Sequence, residues 1–533
     1  MAFVKNETQQ ISFKDTFSML SDRDKKLLEK SWAKDFAEYI FSRINEAPFA
    51  VLYSDVASRP NTPVNVIVGA LIIKEFLNLT DEEVFNSLVF DIRMQYALHT
   101  TSYEEQPFNT RTLGRFRARC AVYEETTGID LIHDCVVSLS SEIAKLMKIN
   151  TEVRRMDSMM IASNIKKMSR LELLYTCVSN FVKCIHEEEG KVSAGLEHYC
   201  DSDDHNKVIY HTRSDDANTK MQNILKDAKT LLSECQGDYD NEDSYRLLVR
   251  VIKEQATMDD DGNYQLKEKN DPGMDSSILQ NPSDPDATFC KKANKEHRGY
   301  KANVVEIVGE NGSVVSDYQY ETNNVSDSQL LKDYVKQEEE QDEDVTLITD
   351  GGYSGSKNKE AAKEKNINLV TTDLLGRDAK DLWADFTFSE DGKKLLSCAN
   401  GCSPKSCSYS EDNDKCRISF PIEICRSCPH MQECNPKLLE RVARIDLSAK
   451  TVERAKLQRL MKSEEFKQYG RIRNGVEAIP SILRRKFNVD RIPSRGKIRS
   501  GLFLGTKIAA LNFGKLFRYL NSPPKGMENA AFA

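Results

Sequence analysis

The 533-residue sequence has no long apolar run. Nothing in it approaches the roughly 20 consecutive apolar residues that span a bilayer. The best stretch, Val66–Ile73, ends at Lys74 and reads as a buried helix. Met1–Gln10 lacks an apolar signal core, so export is not expected and a cytoplasmic location is. The composition also lacks any strong bias, with 39% hydrophobic and 30% charged residues. Collagen, a coiled-coil rod, a membrane protein and a small secreted scaffold are thereby excluded. What is present is a soluble composition with material for three or four domains. In a reducing compartment most of the 14 cysteines are expected as thiols or metal ligands.

The net charge of −8 hides an asymmetry. Pro436–Ala533 holds 22 Lys and Arg against 8 Asp and Glu, a net of +14, and the remainder carries −22. A basic segment of this kind suits a phosphate backbone, whose condensed counterions are released when Lys or Arg neutralises it. A solvated basic face is the plainer alternative.

Residues 22–47 and 63–100 read as amphipathic helices, with Ser21 and Thr80 placed to cap and Asp24 and Glu83 following three residues on. A further helix is expected from Asn109 or Thr110, carrying Arg111, Arg115, Arg117 and Arg119, and another over 129–148. The first 150 residues thus read as an all-helical domain for DNA binding or dimerisation. A strand over Glu152–Ile161 contains Asp157. Residues 168–256 read as polar helices and 257–285 as a turn-rich linker. Tyr300–Val308 and Ser313–Tyr320 read as a hairpin. The clearest local signal is VTLITDGGYSG: a short buried strand, Val345–Ile348, then Asp350, Gly351 and Gly352. A helix over Lys357–Lys365 and a strand over Ile367–Thr371 follow, which predicts a parallel pair in an α/β sheet. Residues 377–435 leave the sheet pattern, and Lys450–Phe487 is mostly helical.

Three acidic positions stand out. Asp157 lies in a strand, Asp350 ends a buried strand, and Glu477 lies in a basic helical segment, YGRIRNGVEAIPSILRRKF. Carboxylates gathered at one sheet edge hold two Mg²⁺ (or Mn²⁺) ions about 3.5–4 Å apart, since these hard cations prefer oxygen. Each position also has a plainer reading. Asp157 suits a turn or cap, Asp350 suits the amides of Gly351 and Gly352, and Glu477 suits an ion pair with Arg473 at helical spacing.

These segments resemble the DDE transposases of bacterial insertion sequences, whose catalytic core has the ribonuclease-H-like fold. FAVLYSDVASRPNTPVNVIVGALIIKEF and FNTRTLGRFRAR are similar to the helical N-terminal domain of that family. RRMDSMMIASNI resembles the strand with the first Asp, here Asp157, and VTLITDGGYSGSKN the strand and turn with the second, Asp350. NPSDPDATFCKK and RGYKANVV resemble the family's DPDA and GY segments. The last block resembles its Tyr–Arg–Glu–Lys helix, as Tyr469, Arg473, Glu477 and Arg484. Two departures stand in that block: the Tyr-to-Arg gap is one residue longer, and Arg484 replaces a usual Lys. Pro480 predicts a kink or helix start beside Glu477.

The resemblance implies an α/β fold: a ribonuclease-H-like mixed sheet core, an all-helical N-terminal domain, and inserted helical and Cys-rich segments. The expected division is 1–150 helical, 151–376 core with a helical insertion at about 165–285, 377–449 Cys-rich, 450–520 core with the Glu helix, and 521–533 tail. It implies catalysis by Asp157, Asp350 and Glu477 through two metal ions, with Arg473, Arg484 and Tyr469 on DNA. The implied partners are duplex DNA, as terminal inverted repeats and target, and a second copy of the chain. A catalytically inactive or repurposed DNA-binding derivative is the alternative, and a sugar-phosphate or other α/β metal hydrolase a third reading.

Seven cysteines fall between positions 398 and 434, with His430 among them. The run CRSCPHMQEC holds a two-residue spacing that lets two thiolates grip one tetrahedral Zn²⁺. Cys416, Cys425, Cys428 and Cys434 are the candidate zinc set, with Cys398 or Cys402 as substitutes, and free or buried thiols are the alternative. The resembling transposases often carry a Cys-rich insertion at this place. Trp383, just upstream, suits either core packing or stacking on a base.

Overall fold

The computed structural model describes residues 1–6, 17–54, 56, 59–100, 109–210, 213–292, 294–341, 344–374 and 376–522. The tail expected over 521–533 lies outside them from residue 523 onward. Helices come first: α1 (Asp22–Glu29), α2 (Trp32–Tyr39), α3 (Val64–Leu77), α4 (Asp81–Phe90), α5 (Ile92–Ala97), α6 (Thr112–Thr127) and α7 (Leu131–Leu146). Strand β1 (Val153–Ala162) leads to α8 (Arg170–Glu189), α9 (Ser202–Ile209), α10 (Ser214–Glu234) and α11 (Asp243–Gln255). Then come β2 (Ala256–Met258), β3 (Tyr264–Leu266), β4 (Thr288–Lys292), β5 (Lys295–Gly309) and β6 (Gly312–Thr322). Next are α12 (Asp327–Gln337), β7 (Val345–Thr349), α13 (Ser356–Glu364) and β8 (Ile367–Thr371). Short strands follow: β9 (Thr387–Phe388), β10 (Leu395–Ser397), β11 (Ser406–Ser410) and β12 (Lys415–Pro421). After α14 (Ile422–Arg426) and α15 (Met431–Cys434) come β13 (Lys437–Leu438) and β14 (Val442–Leu447). Helices α16 (Ala449–Met461), α17 (Glu464–Asn474), α18 (Ala478–Arg485) and α19 (Lys497–Asn521) close the series. The fold is mixed α/β, with both parallel and antiparallel strand pairs. Among the described residues no helix is long and apolar enough to cross a membrane.

Two compact units form: Met1–Thr151 with Asp157–Ser326 and Ile479–Ala533, and Glu152–Met156 with Asp327–Ala478. In the first unit, helix starts follow the capping rules. The Ser21 hydroxyl accepts the Asp24 N–H, and Thr80 and Glu83 form a capping box. The centre of this unit is α19, which packs against α3, α6, α7 and β6. Its Leu502–Phe513 stretch is buried on every side. Gly501 and Gly505 leave room for the rings of Tyr320 and Tyr318. Each fully buried Leu, Ile or Phe here contributes roughly 1.5–3 kcal/mol.

The buried polar side chains of α19 (Ser500, Thr506, Lys507 and Asn512) each have a hydrogen-bond partner. At its N-terminus the Gly496 N–H donates to Asp284 (3.0 Å) and the Lys497 N–H to Asp286 (2.9 Å), so two carboxylates face the positive end of the helix. Asp284 also accepts the Tyr300 hydroxyl at 2.5 Å, which joins the DPDA and GY segments in one buried network. The Asn512 amide exchanges two hydrogen bonds with the Val315 backbone (3.0 and 2.8 Å). That contact lies beside the bulge where the β5–β6 register shifts, and it satisfies a strand whose other edge pairs with β5. Lys507 pairs with Glu75, and Lys515 with Glu306. The basic C-terminal segment is therefore not one exposed face, because two of its lysines are consumed by buried carboxylates.

Helices α8, α10 and α11 build their own core around Phe181, Leu225 and Leu248. The stretch expected as a linker contains the β2–β3 hairpin and the buried Asp284 turn. In the second unit, Val153–Arg155 of β1 pair in parallel with Thr346–Ile348 of β7, and β7 pairs in parallel with β8. Val345, Leu347 and Ile348 are buried, as a parallel strand covered on both faces requires. Residues 377–435, expected to leave the sheet pattern, contribute β9–β12. Strands β9 and β10 pair with each other, and β11 and β12 join β13 and β14 in a sheet ordered β11–β12–β14–β13, whose strands are too short and polar to announce themselves. Trp383 is a core residue there, packed on Phe386.

Lys507→Met strands Glu75 beside Lys74 alone in the interior. It is expected to cost about 3 kcal/mol in urea unfolding, and adding Glu75→Leu should restore most of the loss. A single-variant cost under about 1 kcal/mol would show that the pair is solvated.

Candidate active site

Strand β7 ends in buried Thr349, and the next residue, Asp350, caps a single 3-10 turn over Gly351–Tyr353. Its Oδ1 accepts the Gly352 N–H at 2.8 Å. The Gly351 N–H goes instead to Asp373 at 2.6 Å, just past the end of β8. A side chain at Gly352 would place its Cβ 3.0 Å from oxygens of both Asp327 and Asp350. Three carboxylates therefore surround one turn. Burial pushes the Asp350 carboxyl above the usual carboxylate range. The Gly352 amide opposes this, the charges of Asp327 and Asp373 add to it, and Arg473 pulls it back.

Arg473 lies in the last turn of α17. Its Nη1 donates to Glu477 Oε1 at 2.6 Å, and its Nη2 lies 3.6 Å from Asp350 Oδ2. One guanidinium thus brings Asp350 and Glu477 together. Glu477 ends a 3-10 turn, Gly475–Glu477, that separates α17 from α18. Pro480 stands in the first turn of α18, where its missing N–H costs nothing, so the expected break falls beside Glu477. Arg155 of β1 donates to the Ile472 carbonyl at 2.6 Å and fills the space that a side chain at Gly475 would need. It thereby fixes where α17 stops. Tyr469 packs edge-on against Phe466.

In the first unit, Asp157 sits in β1 and accepts the Ser158 N–H at 2.9 Å. Arg484 donates to the Met160 carbonyl of β1 (2.7 Å) and to Asp490 (3.1 Å), while Asp490 also accepts the Ala162 N–H. Arg484 is thus tied to the strand that carries Asp157.

Asp327, Asp373 and Arg155 were not singled out from the sequence. Asp373 had a signal, since it follows the strand INLVT as Asp350 follows VTLIT. Asp327 and Arg155 act through tertiary contacts and had none.

The expected zinc set is not gathered as a whole. Cys425, Cys428 and Cys434 line one cavity together with Cys398, Cys402 and His430. Cys416 does not line it: the alternation of β12 turns Cys416 into the core, where its thiol donates to the Lys393 carbonyl at 3.2 Å.

Residues 274–513 match the family described as Transposase DDE domain, and residues 23–119 match the one described as Transposase domain (DUF772). The chain belongs to the DDE transposases. It is accordingly a polynucleotidyl transferase of DNA transposition and recombination. The larger match spans Asp350, Tyr469, Arg473, Glu477 and Arg484, and begins downstream of Asp157. Comparison with curated proteins and with solved structures gives no match.

Because burial raises the Asp350 pKa, the stability it lends to the metal-free transposase is present below the ordinary carboxylate range and is lost as pH climbs through the raised value. At neutral pH without divalent ions, Asp350→Asn is expected to melt above the parent in a calorimetric scan. A variant that melts lower contradicts this.

Proposed function

We propose that this transposase binds the terminal inverted repeats of its element, cuts the strand ends, and joins the freed 3′-hydroxyls to target DNA. Asp157, Asp350 and Glu477 are the carboxylates that hold two Mg²⁺ or Mn²⁺ ions on a ribonuclease-H-like core. The observation that carries this reading is Asp350 and Glu477 meeting on one Arg at the end of a buried strand.

The donors suit the ions. They are hard carboxylate oxygens, and Asp350 is disfavoured as an anion by burial and by Asp327 and Asp373. When bound, such ions activate a water or 3′-hydroxyl and stabilise the leaving oxygen, so the protein supplies no nucleophile. The Gly352 amide orients Asp350. Arg473 balances the charge of two carboxylates, and its planar fork suits a phosphate near the scissile bond. Arg484 and Tyr469 flank the bound strand. The helical N-terminal segment contributes DNA binding or dimerisation, and two copies are needed because two DNA ends must be joined.

The test is a nicking assay on duplexes carrying the sequences that flank the gene. Asp157→Asn, Asp350→Asn and Glu477→Gln are each expected to lower cleavage by on the order of 10³-fold, several kcal/mol of transition-state stabilisation, while leaving duplex binding intact. Normal cutting by any one variant removes that residue from the set. A parent chain that binds and does not cut would instead fit a repurposed DNA-binding protein.

A further inference from the structure

Two tight turns in the second unit present cysteine pairs to one space. In the first, the Gly401 N–H donates to the Cys398 carbonyl at 2.8 Å and the Cys398 N–H to the Cys402 carbonyl at 3.0 Å. Gly401 adopts φ 73°, which a side chain would resist. In the second, the Cys428 N–H donates to the Cys425 carbonyl at 3.2 Å, and the Met431 N–H to the Cys428 carbonyl at 3.1 Å. Each turn holds its two thiols on a short closed loop. All four line a cavity of about 30 Å³ walled by Phe386 and Phe420. The volume suits one ion rather than an organic ligand.

The segment that closes this cavity is held by few contacts, among them Lys380 donating to the Glu433 carbonyl at 2.8 Å. From Ile422 to Asn435 no side chain is fully buried, and α14 and α15 touch the core of this unit through the half-buried Cys425 and Cys434. Ordering that many residues costs on the order of 1 kcal/mol each in backbone entropy, and a segment without one fully buried side chain returns little of it by hydrophobic burial. All of these cysteines are free thiols, so no disulfide holds the segment. A metal cross-link would.

We propose that Cys398, Cys402, Cys425 and Cys428 hold one structural Zn²⁺ as two facing clasps. Cys434 and His430 line the same cavity but belong to neither turn, and Cys407 and Cys416 belong to the sheet. Soft thiolates in two pairs select zinc over the oxygen-seeking ions of the carboxylate site. Among the described residues no three of these donor atoms lie all within 4.8 Å of one another, so the ion draws them in by side-chain rotation. The inference is independent of the reading of the carboxylates.

The test uses the full-length chain, purified without a metal-binding tag and analysed by mass spectrometry for bound metal. One zinc per chain is expected. It should be lost in Cys398→Ser, Cys402→Ser, Cys425→Ser and Cys428→Ser, and kept in Cys407→Ser, Cys416→Ser and Cys434→Ser. Because a Ser variant can lose its metal simply by unfolding, the intact chain is also loaded with Co²⁺, whose absorption counts thiolate ligands and reports geometry. A tetrahedral four-thiolate spectrum supports the assignment. A chain without zinc, a Cys416→Ser variant that loses it, a Cys402→Ser variant that keeps it, or a cobalt spectrum with fewer thiolates overturns it.

Discussion

A carboxylate that its surroundings disfavour as an anion is held in place at the end of a buried parallel strand. Everything around Asp350 serves that placement. Strand β7 is apolar because it is covered on both faces, so its polar end marks the sheet's carboxyl edge. The turn that follows spends one amide on Asp350 and one on Asp373. Asp327 adds a third negative group, and Arg473 supplies the cation that spans Asp350 and Glu477. A site with more carboxylates than local cations suits a small, hard cation, in keeping with the proposed two-ion cleavage of a phosphodiester.

The first unit solves a different problem. A helix buried on all sides must hide two lysines and an asparagine, and α19 does so by giving each a dedicated partner. The DPDA and GY segments gain a physical meaning from the same helix. Asp284 and Asp286 cap its N-terminus, and Tyr300 fixes Asp284. These segments act as structural ties, and a change in them would be felt through the placement of α19.

Much of this was legible in the residues. The strand–Asp–Gly–Gly signal, the capping boxes and the break at Pro480 are local, and local rules read them. The pairing of Arg473 with Glu477 follows from helical spacing, and the structure adds Asp350 to it. Asp327 and Arg155 escaped because their roles arise from residues remote in sequence. The charge of the C-terminal segment misled in part because a lysine count does not distinguish Lys507, which faces Glu75, from a lysine in water. Cys416 stands apart from the cavity that the other cysteines line, and spacing in sequence does not show which way a strand residue points, whereas the alternation of β12 does.

The most direct test of the central claim is to replace Mg²⁺ with Fe²⁺ and map where locally generated hydroxyl radicals cut the polypeptide. Carboxylates from positions 157, 350 and 477 sharing bound ions should give cuts at all three segments, suppressed together by excess Mg²⁺. Cuts confined to one segment, or absent from the neighbourhood of residue 157, would contradict the shared site.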